Sequence, residues 1–111
     1  MGAEETAEQK RARLAGYLEK YKRMLLDIIE HHVPACRVYL FGSRATGTGR
    51  EGADVDVAID CGDKIHRDIV LKIIGDVDES DLPVFVDIVD LQNVSSEMQE
   101  QILKEGVIWK N

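Results

Sequence analysis

Cysteine, proline and aromatic residues are scarce in this 111-residue sequence, and basic residues are outnumbered by acidic ones. The two Cys, at 36 and 61, are too few for a disulfide scaffold. They suit a reducing compartment, so both are expected as plain buried or half-buried thiols, and no Cys/His spacing resembles a zinc site. No apolar run approaches the ~18 residues needed to cross a bilayer, which argues against a membrane protein. The opening MGAEETAEQK is polar and lacks the apolar core of a secretory signal, so a cytoplasmic location is expected. With only two Pro and no low-complexity linker, residues 1–111 are expected to form one domain. A chain of this length buries roughly two-thirds of the surface its unfolded form exposes, enough for one core.

What is present is acid, unevenly placed. Residues 1–50 hold 9 basic and 6 acidic side chains; residues 51–111 hold 5 basic and 15 acidic, within an overall charge of −7. Direct nucleic-acid binding is not expected of such a chain, because that affinity comes mostly from neutralising phosphates. Most of these acids read as a solubilising surface. A concentration of carboxylates also suits a divalent cation.

The apolar pattern predicts the elements. Leu14, Leu18, Tyr21, Leu25 and Ile28 line one face of a long helix over 7–33, opened by a Thr6/Gln9 capping box and ended by Pro34. Arg37–Phe41 reads as a first strand and Asp54–Asp60, which alternates strictly, as a second. Ile65, Ile69, Ile73 and Ile74 mark a second helix stopped near Gly75, followed by an acidic turn over 76–83. Val84–Val89 reads as a third strand. A last helix with a Ser96/Gln99 capping box runs to about Lys104, with Gly106 capping its end and Val107–Trp109 as a short final strand. This order implies an α/β (α+β) fold, a small mixed sheet flanked by helices, with its core at about 37–109.

Three acids on strands stand out. Asp54 and Asp56 fall two apart, so their side chains share one face of the sheet, with Cα atoms about 6–7 Å apart. Val55, Val57 and Ile59 then face the core. Asp87 sits in the apolar run VFVDIVD, where an ionised carboxylate is costly unless paired or metal-bound. Magnesium would satisfy all three. Gly42 and Ser43 follow the first strand directly. Glycine there lets backbone approach a ligand, and Ser43 with the adjacent Arg44 could hold phosphate. Phosphate donors beside metal-binding carboxylates are the parts of a phosphoryl or nucleotidyl transfer site.

Gly42-Ser43, ten residues, Asp54-Val55-Asp56 and then Asp87 on the next strand resemble the signature of the nucleotidyltransferase superfamily of DNA polymerase beta and kanamycin nucleotidyltransferase. The small size and the run GSRATG…DVDVAID look most like the minimal nucleotidyltransferases (MNT), over roughly residues 25–108. The family often has Ser before the first Asp; Ala53 here removes a hydroxyl but no ligand. The resemblance implies transfer of AMP from ATP, with magnesium (two ions), to a hydroxyl, a tyrosine of a helical HEPN partner. The pair would form a hetero-oligomer, with this chain as antitoxin and the partner as toxin. Carried over, Asp54, Asp56 and Asp87 would bind metal, and Asp87 would also act as base. Gly42 and Ser43, with Arg44, would bind the nucleotide.

Two alternatives remain: a non-catalytic antitoxin that masks its partner by contact, and nucleotidyl transfer to a small molecule or tRNA presented by a partner subunit. Other features read as background. Gly47–Gly52 fits GxGxxG on paper, but a strand rather than a helix follows, so it reads as a flexible loop. His31 and His32 suit a helix end. His66 reads as a surface residue, Asp60 and Asp63 as a solvated strand end, and Asp90 as a turn residue off the Asp87 face.

Overall fold

The computed structural model describes residues 4–42, 54–82 and 84–111. Ser43, Arg44, the Gly47–Gly52 run and Ala53 lie outside them. Four strands form one mixed sheet in the order β3-β2-β1-β4: β1 Arg37–Phe41, β2 Val55–Asp60, β3 Val86–Asp90 and β4 Val107–Lys110. β1 pairs antiparallel with β2 and with β4, whereas β2 and β3 are parallel and joined through α2, Arg67–Glu79. Among the described residues two more helices, α1 (Ala7–His32) and α3 (Ser96–Glu105), pack on the sheet, with a 3₁₀ turn at Leu91–Asn93 that the sequence pattern did not predict.

The sheet has two differently covered faces. Val38 and Leu40 of β1, Val55, Val57 and Ile59 of β2, and Ile88 of β3 pack with Leu25 and Ile29 of α1 and Ile73 and Val77 of α2. Strand alternation sends Tyr39 and Ala58 the other way, into a smaller cluster with Leu91 and Ile102 that Phe41, Val89 and Met98 border. Among the described residues, one ten-residue helix, α3, about 15 Å long, covers this second face through Ile102 and Met98.

α1 has the predicted capping box at Thr6 and Gln9 and stops at Val33, just before Pro34. Among its described side chains Tyr21, Leu25 and Ile29 are buried, and the half-buried Ile28 packs against the same core. His32 Nε2 meets Asp76 Oδ2 at 2.6 Å and ties α1 to α2.

Four expectations are corrected. α2 does not stop at Gly75 but runs on to Glu79, and this places the first part of the expected acidic turn in the helix. The reason is Val77, buried one turn beyond Ile73: a helical glycine costs about 1 kcal/mol, less than the ~1.5–3 kcal/mol of burying a valine. β3 begins two residues later than predicted, at Val86. The cap of α3 is Ser95, whose hydroxyl accepts from the Met98 N–H, while Gln99 donates to the Leu91 carbonyl.

The fourth correction concerns the cysteines. Cys36 and Cys61 are joined in a disulfide, Cα to Cα 4.4 Å, and neither is a free thiol. The hairpin register explains it: Arg37 faces Asp60, so the next residues outward, 36 and 61, face each other. Such a separation is that of an antiparallel non-hydrogen-bonded pair.

Candidate functional site

Asp56 and Asp87 face each other across the parallel β2–β3 pairing. Residues opposite each other in a sheet share a face, and alternation puts both on the second face, with Ala58 and Val89. Asp54 immediately precedes β2; the strand opens at Val55, whose N–H donates to the Phe85 carbonyl at 2.9 Å. Asp54 and Asp87 are exposed and Asp56 is half-buried. Burial first, then the charges of Asp87 and Asp54, raises the Asp56 carboxyl above its ordinary 3.8. The three acids are therefore close enough to repel through Asp56.

Gly42 closes the site on the β1 side. Phe41 faces Asp56 in the antiparallel register, and Gly42 follows with φ +75°, a left-handed conformation that suits glycine. A Cβ there would overlap Oδ2 of Asp56. The glycine thus serves twice: it makes the turn out of β1 and leaves the space that the Asp56 carboxylate occupies. The sequence suggested glycine here for close approach of backbone to a ligand, whereas both of these roles needed the structure. Beside it, Phe41, Gly42, Met98, Gln101, Ile102 and Glu105 line a small cleft of about 160 Å³ that sequence reasoning missed.

The donor set is all carboxylate oxygen, the ligand type magnesium takes. Among the described residues, no group of three or more His, Cys, Asp or Glu is gathered tightly enough to hold an ion as it stands. Asp54 and Asp87, being exposed, have rotamers free to turn toward a cation, which would also relieve the repulsion on Asp56.

Asp90, Asp60 and His66 have structural work. Asp90 is buried, accepts from the Ile65 and Gln92 N–H groups, and caps the 3₁₀ turn. Asp60 accepts from the Gly62 N–H and the Gln92 side chain. His66 is an exposed cap of α2 that accepts from the Asp68 N–H.

Comparison with known proteins bears on the fold and the family. Among curated proteins, none matches the sequence. Solved structures do. A toxin–antitoxin complex with AMP-PNP is similar at TM-score 0.67 and 25% identity, over 79% of this chain and 71% of that one. A mutant toxin–antitoxin pair designated MntA–HpeT is similar at TM-score 0.65 and 25% identity, over 78% and 69%. A complex of tri-AMPylated Shewanella oneidensis HEPN toxin with MNT antitoxin shares the fold at TM-score 0.58 and 21% identity, over 82% and 70%. The family model described as polymerase beta, nucleotidyltransferase matches residues 23–110, and the chain belongs to that nucleotidyltransferase family.

Proposed function

We propose that this protein transfers AMP from Mg-ATP to a tyrosine hydroxyl of a HEPN-type helical partner and so acts as the antitoxin of a toxin–antitoxin pair. The observation that carries the reading is the Asp56–Asp87 register pair, with Asp54 adjoining and Gly42 beside Asp56. Family membership supplies the reaction class. The likeness to a toxin–antitoxin complex with AMP-PNP supports both an adenine nucleotide and a protein partner.

In this reading the acceptor oxygen attacks the α-phosphorus of ATP. A new P–O bond forms, the bond between the α- and β-phosphates breaks, and pyrophosphate leaves. Asp87, exposed on the sheet edge, takes the hydroxyl proton. Magnesium, held by Asp54, Asp56 and Asp87, would supply positive charge against the triphosphate and the reacting oxygens. Gly42, with Ser43 and Arg44, holds the phosphates. A nucleoside triphosphate substrate favours a cytoplasmic setting for this activity.

The test is neutralisation of the partner by a protein with both Asp54→Ala and Asp56→Ala. Partner activity should return in full at equal protein levels. Undiminished neutralisation would show that contact alone is the mechanism.

A further inference from the structure

We propose that the outer edge of β3 is a docking strand: an extended, cationic, tyrosine-bearing partner segment pairs with it and is thereby placed beside Asp87. This rests on the proposed transfer reaction and adds how the acceptor is held.

β3 is an edge strand, and Asp87 is at its second position. The Phe85 carbonyl accepts from Val55 N–H in β2. Backbone groups alternate sides along a strand, so Phe85, Asp87 and Val89 point theirs at β2, and Val86 and Ile88 point theirs outward. Among the described residues no strand pairs with that side. Native proteins usually block such an edge, because its open N–H and C=O groups recruit another chain. An added strand would lie about 4.8 Å from β3, and its residue opposite Asp87 would carry its side chain on the Asp56–Asp87 face. Pairing thus brings a tyrosine to the proposed base with no further domain needed.

Both ends of the edge offer side-chain contacts. Phe85, at its start, is 82% exposed. At its other end a groove of about 510 Å³ is lined by Ile65, Arg67, Ile88, Val89 and Asn93, among others. Charge selects the occupant. Asp76 meets His32 and Asp90 is buried, but Asp78, Glu79, Asp81 and Asp87 are exposed and residues 76–90 contain no Lys, Arg or His, so a segment lying along β3 is favoured when it is cationic.

The test uses the full chain and three fluorescent nonapeptides of one sequence, a central tyrosine flanked by lysines and valines. One is unmethylated; the other two carry N-methyl groups on complementary alternate amides. Strand pairing uses only the amides that face β3. Methylation of one set should weaken binding at least tenfold, while the other set stays within twofold of the unmethylated peptide. Equal binding of all three, equal loss in both methylated peptides, or no binding of the unmethylated one overturns the docking strand. AMP transfer to the peptide, read by mass, is a separate readout. Pattern-dependent binding without transfer would uphold the docking strand and count against the transferase reading; transfer without pattern dependence would do the reverse. Val86→Pro removes an outward N–H at the first residue of an edge strand, where proline is tolerated. It should weaken the unmethylated peptide tenfold, and wild-type binding by this variant, once its fold is verified by circular dichroism, would also overturn the docking strand.

Discussion

Asp56 and Asp87 stand opposite each other in the parallel pairing of β2 and β3, on the face of the sheet that carries Ala58 and Val89. Evolution of a stable fold alone gives no reason for that pair. Burial, and then the charges of Asp87 and Asp54 beside it, raises the Asp56 carboxyl, a cost that the proposed cation site would offset.

Burial of Asp56, together with the neighbouring charges, sets the pH dependence. A carboxyl raised in the folded state binds its proton more tightly there than in the unfolded chain. In the metal-free protein its contribution is therefore favourable at low pH and is lost as pH rises from about 3.8 through the raised value. Asp56→Asn should raise the Tm of metal-free protein at pH 7. Magnesium should raise the Tm of the wild type and have little effect on the variant. Thermal melts with and without magnesium check both.

Gly42→Ala should disturb stability and site together. The left-handed backbone costs an alanine about 1–2 kcal/mol, and its methyl group must displace the Asp56 carboxylate. Denaturant melts should show that loss, and AMP transfer should fall by more than tenfold.

The acids of β3 should separate by role. Asp90 is buried and accepts two backbone N–H groups, so Asp90→Ala strands both and should cost about 2–3 kcal/mol. Asp87 is exposed, and Asp87→Asn should change stability by less than about 0.5 kcal/mol while removing transfer. Urea unfolding of the two variants gives the comparison.

The Cys36–Cys61 bond, spanning a sequence separation of 25, encloses Gly42, Ser43, Asp54 and Asp56 in one covalent ring. Closing a loop of that length is worth about 3 kcal/mol against the unfolded chain. Dithiothreitol should lower the Tm of oxidised protein by on the order of 10 °C. It should not shift the Tm of a Cys36→Ser, Cys61→Ser protein.

The sequence was informative where one local rule decides. β1 is apolar and β-prone, and its ends fall where predicted. The alternation in 54–60 correctly sent Val55, Val57 and Ile59 into the core. It misled where a distant partner decides. Burial of Val77 carries α2 through Gly75. The cysteine pairing depends on the β1–β2 register, which a long connection between the strands leaves unspecified until they pair. Of the candidate site, the acids and Gly42 were legible as residue types at a known spacing, whereas the Gly42–Asp56 contact and the edge position of Asp87 emerge only from the sheet order. The described residues leave Ser43 and Arg44 as expectations of the motif.

The most direct measurement is the intact mass of a co-purified HEPN partner after incubation with Mg-ATP. With the wild-type chain the partner should gain one or more adenylate units, and with Asp87→Asn it should gain none. An unchanged partner mass with the wild type, or an equal gain with the variant, would contradict the account.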